Sequence, residues 1–382
     1  MVFILAFMHL LVDAVCAATV MSSRSTSTPE EVAILILFYN GLAFSTQPLF
    51  GYIADRAGRS ERLKVFIQDR FFQASAYVDF AILGAVTVSV GAVLYAIPLL
   101  SVSLAGIGNS IFHVGGGGYS LNGSAGKAAK VGVFVGPGAI GLTLGLSFPH
   151  LLGALKVILA ILALVTLGIS YALFKGRIAR NADAPVQTEI EMLDTAKYSG
   201  FRPEIGVYPW IAVALAICAA VAFRAFGGAF PSFPWKTGIF AIFASAGFVA
   251  AGKMLGGVLH DRIGALPTII LSFVFSTVLL TFFPERAGLG TAGLFFLNIA
   301  MPVTVYLLYR ANTKYPAFAF GLCAAALYPG TLAATAASSG ISSLEKYEAK
   351  VFFVCLSVFA FICVYLAYKK ITRHERGDNG DE

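Results

Sequence analysis

Four ionisable side chains lie in stretches too apolar to hold them by default. His9 and Asp13 are four residues apart in the run 2–21 and share one face if that run is helical. His113 follows Asn109 at the same spacing in the run 97–121, and Arg224 falls near the outer end of the run 206–228. A carboxylate taken out of water favours its neutral form, whereas a neighbouring cation favours the ionised one. Changing the partner of Asp13 therefore loads or unloads a proton, and imidazole, which titrates near neutral pH, can share it. The competing reading is a static network, with His9 hydrogen-bonded to Asp13 and Arg224 snorkelling to the interface. Other chemistry is not signalled. H-E-x-x-H and G-x-S-x-G are absent, Gly115–Gly118 is not followed by G-K-[ST], and the cysteines (Cys16, Cys218, Cys323, Cys355, Cys363) form no C-x-x-C pair. No metal, cofactor or enzymatic nucleophile is expected.

Holding such groups in place takes helices in a bilayer. Of 382 residues, 58% are apolar and 12% charged, with 39 Gly and 33 Phe; the mean hydropathy is +0.81. Soluble domains carry about 25% charge, which sets aside a soluble enzyme, a disordered scaffold or a nucleic-acid binder. A spanning helix needs about 20 apolar residues. Apolar runs of that order fall at 2–21, 32–54, 77–95, 97–121, 131–149 and 154–174, then at 206–228, 237–259, 265–283, 289–309, 317–337 and 351–368. The first run lacks a basic start and is read as a retained helix, not a signal peptide. The fold class is thus an all-α polytopic membrane protein of about twelve transmembrane helices in two six-helix pseudo-symmetric halves. These are residues 1–174 and 206–368, joined by a polar linker, 175–205, and followed by a tail, 369–382.

Lys and Arg distribution sets the expected orientation. With the N-terminus inside, twenty fall in inside segments and six outside, so both termini, the linker and the tail are expected in the cytoplasm of a cell membrane. The +7 net charge is then a topology signal. Residues 60–76 mix Leu63, Phe66, Ile67, Phe71 and Phe72 with Arg62, Lys64, Asp69 and Arg70. They fit either a surface amphipathic helix or an extended start to the third span. Lys253 is expected at the inner end of the eighth span, snorkelling and paired near Asp261. The run Gly115–Gly118 suggests close backbone packing or a bending point.

An internal repeat is the sharpest feature. Gly51, Asp55, Arg56, Gly58 form G-x-x-x-D-R-x-G after the second run, followed by Arg59; Gly257, Asp261, Arg262, Gly264 repeat it after the eighth at a constant offset of 206. Glycine permits close helix approach, and Asp and Arg at the membrane edge can make a charged latch. Duplicated halves of this kind are a transporter signature. At these residues the chain resembles the major facilitator superfamily, over essentially its whole length. Gly132-x-x-x-Gly136-Pro137-x-x-x-Gly141 is similar to the Gly-Pro signature of its proton-coupled antiporters. His9–Asp13, Gln47–Tyr52 and Gly106–His113 resemble most its fosmidomycin-resistance efflux branch, although Val114 and Gly115–Gly118 stand where that branch has Pro and an acidic residue.

The resemblance implies that spans one, four, seven and ten line a central path, bringing Asp13, His113 and Arg224 to one cavity. It also implies proton coupling through these residues and His9, and alternating access controlled by the repeated motif. Substrate contacts are expected from Tyr39, Asn40, Gln47, Asn109, Asn298 and Tyr306, each of which could equally bond helix to helix. The function implied is proton-coupled efflux of a small organic molecule by a monomer, its partners being substrate, protons and lipid. Alternatives are proton-coupled uptake of a polar metabolite or metal chelate, or a non-transporting sensor on the same fold.

Overall fold

With no water in the hydrocarbon, a spanning backbone must satisfy its own N–H and C=O groups, and a helix does so within one segment. The computed structural model describes residues 1–22, 29–57, 76–122, 127–180, 205–340 and 346–376. Every element among them is helical, and twelve helical spans are long and apolar enough to cross a membrane. The first six are α1 (Val2–Ser22), α2 (Pro29–Ser45, resuming as Gln47–Ala57), α3 (Ala76–Val93), α4 (Pro98–Leu121), α5 (Ala129–Ser147) and α6 (Leu152–Arg180). The last six are α7 (Val207–Ala229), α8 (Ile239–Ile263), α9 (Ala265–Phe282), α10 (Ala287–Ala311), α11 (Pro316–Ala325, resuming as Leu327–Gly340) and α12 (Lys346–Glu375).

These spans match the twelve apolar runs, with the largest differences at the C-terminal ends of α6 and α12. α6 continues to Arg180, into the expected linker, and α12 continues to Glu375, into the expected tail. In both places charged residues extend a helix that apolarity alone would end, and Arg310 pairs with Glu375 there. The possible surface helix at 60–75 and most of the linker lie outside the described residues. Large apolar side chains face outward around the bundle, among them Phe3, Leu83, Leu164, Val274 and Phe359, as a lipid-facing surface requires.

Glycines let the helices approach. Gly141 and Gly145 of α5 sit against the backbone of Leu10 and Ala14 in α1. The four-glycine run of α4 is read as packing and not as a bend: Gly115 abuts Tyr77 and Ala81 of α3, Gly116 the ring of Phe134 in α5, and Gly117 the ring of Phe320 in α11. Successive residues point about 100° apart around a helix, so four glycines in a row let α4 be crowded on all sides.

The first six helices meet the last six chiefly at two places, α2 against the start of α11 and α5 against α8. The 206-residue offset maps α2 onto α8, so the two crossings are equivalent. Both lie toward the face that carries the chain termini.

Candidate functional site

Away from those crossings the helices part around a cavity of about 1030 Å³. Its lining reaches from Asp13, His113 and Lys253, midway along their helices, to Met21, Ser147 and Lys236 at the ends opposite the termini. The cavity therefore opens away from the terminal face and is closed toward it.

On the wall built by the first six helices, Asp13 sits between two imidazoles. His9 Nε2 lies 3.2 Å from Asp13 Oδ2, as the i,i+4 spacing on α1 requires, and His113 Nε2 of α4 lies 3.7 Å from Oδ1. The other nitrogen of each ring is committed. His9 Nδ1 donates to the carbonyl of Phe134 at 2.8 Å, and His113 Nδ1 donates to that of Asn109 at 2.9 Å. A carbonyl only accepts, so both rings carry their proton on Nδ1. Each Nε2 then turns toward a carboxylate, a contact that is attractive only when a proton lies between them. Main-chain carbonyls thus aim both Nε2 atoms at Asp13. Asn109 Nδ2 donates to Asp13 Oδ1 at 3.2 Å. Gly138 makes the room: a Cβ there would fall 2.5 Å from His9 Nε2 and 2.6 Å from Asp13 Oδ2. Gly138 carries no sequence signal of its own, because it occupies an unspecified position of the G-x-x-x-G-P-x-x-x-G pattern.

The opposite wall is cationic and differs from expectation. Arg224 lines the cavity but does not meet Asp13; its Nη1 donates to Asn298 Oδ1 at 3.2 Å, and its Nε is buried without a partner. Lys253 is not at the end of α8 and does not pair with Asp261. It stands eight residues earlier, about 12 Å along the axis, facing the cavity close enough to interact with Asp13 and Arg224. Its helical register turns it inward, and its closeness to the D-R-x-G motif in sequence misled the expectation. Of the expected substrate contacts, Tyr39, Asn40, Gln47 and Asn109 line the cavity. Asn298 lies behind Arg224. Tyr306 is 2% exposed and packs its ring on His260 at the terminal face, outside the lining, because it lies two helical turns beyond Asn298.

At the closed face each motif carboxylate reaches a helix start in the opposite half. Asp55 accepts from the backbone N–H groups of Ala317 (3.0 Å) and Phe318 (2.9 Å) in the first turn of α11, and from Tyr77 Oη at 2.8 Å. Asp261 accepts from Ala128 (2.7 Å) and Ala129 (3.1 Å) at the start of α5, with His260 Nδ1 at 3.0 Å. Neither helix has a side-chain cap from its own N-cap residue. Each motif carboxylate thus sits on a helix N-terminus, where free N–H groups and the macrodipole favour an anion. Arg56 instead donates to Tyr52 Oη of its own helix at 3.0 Å, and Arg262 is exposed. Gly264 ends α8 at φ +88°, a conformation that favours glycine. Gly58 and Arg59 lie outside the described residues.

Twelve membrane-length helices, two equivalent crossings and a central cavity closed at one end define the major facilitator fold, that of a multi-pass membrane protein. No protein-family profile and no curated protein matches the chain. Solved structures do. The chain is similar to the E. coli fucose:proton symporter FucP, with a TM-score of 0.54 at 13% identity over 96% of this chain and 97% of that one. A second structure, of FucP described as a major facilitator superfamily transporter in the outward conformation, gives 0.53 at 12% identity over 96% and 99%. At such identity the likeness is one of fold.

Proposed function

We propose that the protein is a secondary transporter that carries a small organic molecule across the membrane by alternating access, coupled to protons and running outward in exchange for them. The observation that carries this reading is the His9–Asp13–His113 cluster, whose ring tautomers call for a proton at Asp13 in a cavity open to one side. The excess of Lys and Arg on the terminal face orients that face to the cytoplasm. The state described is then outward-open, with residues 1–174 and 206–368 as the rocking halves and the Asp55 and Asp261 crossings as latches. Releasing the latches closes the outer mouth and presents Asp13 to the cytoplasm. A proton accepted outside is lost inside as the pairing of Asp13 changes.

A second reading, inward movement of substrate together with protons, is favoured by the description of FucP as a fucose:proton symporter. Flux in proteoliposomes under pH gradients of either sign separates the two. Accumulation against the substrate gradient is expected when protons run opposite to substrate, and Asp13→Asn is expected to abolish it while leaving downhill exchange. His113→Gln is expected to change the pH dependence without eliminating transport. If Asp13→Asn responds to the gradient as strongly as the parent, Asp13 is structural and the proton-site reading fails.

A further inference from the structure

The cavity is asymmetric in charge. Among the described residues its lining contains one acid, Asp13, and three cations, Arg224, Lys236 and Lys253. Asp13 is already held by two imidazoles and Asn109. Arg224 and Lys253 pair with no carboxylate among the described residues, and they are close enough to repel each other. The guanidinium of Arg224 has one neutral acceptor, Asn298 Oδ1, and a buried Nε with none. Charges inside a membrane protein are costly unless paired or facing a ligand path, and a guanidinium with unsatisfied N–H groups fits an oxyanion.

We propose that the transported molecule is an organic oxyanion, its carboxylate- or phosphonate-type head seated between Arg224 and Lys253 and its apolar body against Val20, Ile36, Leu142, Val249 and Met301. This rests on the carrier reading above and names its substrate class. Arg224 supplies the directional contact and Lys253 the second charge, placed between the head and Asp13. The apolar residues run from the middle of the cavity toward its mouth, so the head enters first. A divalent cation is the other ligand to weigh, because donor atoms of His9, Asp13 and His113 lie within 4.8 Å of one another. Its charge there would face Lys253, while Asn109 Nδ2 already occupies an Asp13 oxygen, so the electrostatics favour the anion.

The test is binding to the purified full-length protein in nanodiscs, read by calorimetry and ligand-induced thermal stabilisation. The probes are acetate, benzoate, methylphosphonate and phenylphosphonate against benzamide and benzylamine, at matched ionic strength. The aromatic oxyanions are expected to bind at least about tenfold tighter than benzamide, one charge-assisted contact being worth that much. Benzylamine is expected not to bind. Arg224→Gln and Lys253→Gln are each expected to lose that preference, with Arg224→Lys intermediate and the exposed Lys127→Gln unchanged. Benzamide or benzylamine binding as tightly as benzoate in the wild-type protein overturns the proposal without relying on any variant's folding. So does an oxyanion preference that survives both glutamine variants. Selective oxyanion binding without flux in proteoliposomes leaves this site standing and removes the carrier reading. Asp13-dependent flux of a neutral or cationic compound that no oxyanion inhibits does the reverse.

Discussion

The two crossings at the closed face have the same plan and unequal depth. In each, a glycine and an aspartate four residues apart lie on one helix face, so the glycine admits the opposite helix start and the carboxylate caps it. Gly51 and Gly257 both face backbone of the other half, at Ala317 and Ala128. The difference lies around the carboxylates. Asp55 is 1% exposed and gains a third donor from Tyr77, whereas the Asp261 side chain is 14% exposed and takes its third contact from neighbouring His260. The G-x-x-x-D part of the repeat builds the interface and what surrounds it sets the strength. In the latch role proposed above, this difference would let the shallower side yield first.

The largest expected effect follows from that depth. Asp55→Asn keeps one acceptor but loses the charge opposite two N–H groups and a hydroxyl, costing the closed face about 2–3 kcal/mol, or about 30- to 150-fold in the ratio of conformers. Spin labels at Lys127→Cys and Lys314→Cys, one on each half at that face in a cysteine-free background, read the ratio as two distances. An unchanged distance distribution would remove the latch. The glycine pair should behave differently from the aspartate pair. A Cβ at Gly51 would lie 2.7 Å from the carbonyl carbon of Ala317, and one at Gly257 would lie 2.6 Å from the carbonyl oxygen of Ala128. Gly51→Ala and Gly257→Ala should therefore open the face to similar extents, by about 2 kcal/mol each. A large inequality would mean that the two crossings differ in backbone fit and not only in burial.

Much of this arrangement was legible in sequence, for reasons that also explain what was not. Twelve spans follow from apolarity and length, and the 206-residue offset marks the equivalent crossings. The His9–Asp13 pairing follows from helical spacing within one span. What the sequence withheld is whatever depends on register between spans. Lys253 reads as a snorkelling residue and Tyr306 as a substrate contact, and only the packing of α8 and α10 turns the first into the cavity and keeps the second out of it. The carbonyls of Phe134 and Asn109 that fix the imidazole tautomers carry no side-chain signal at all. Neither do the N–H groups that receive Asp55 and Asp261.

The shallower carboxylate should count for less. Asp261→Asn faces water on one side, which screens its charge, and His260 remains to fill part of its place, so about 1 kcal/mol, or about fivefold, is expected in the same spin-label ratio. An effect equal to that of Asp55→Asn would show that burial does not grade the latches.

The smallest effect is expected at Arg56, and it separates the parts of the repeat most sharply. Arg56 is exposed and reaches back along its own helix, donating to Tyr52 Oη, with its guanidinium carbon 5.4 Å from the centre of that ring. Tyr52 in turn stacks on Tyr315 of the other half, ring centres 5.8 Å apart. Among the described residues Arg56 thus bears on the closed face through the ring it steadies, near the positive-preferring C-terminal end of α2. Arg56→Gln can still hydrogen-bond Tyr52 and loses only the charge over the ring, so the conformer ratio should move by about twofold. Tyr52→Leu, which removes the stacked ring itself, should exceed it. If Arg56→Gln instead opens the face as far as Asp55→Asn does, the arginine bears on the interface directly, and the division of the repeat into an interface-building half and a supporting half is wrong.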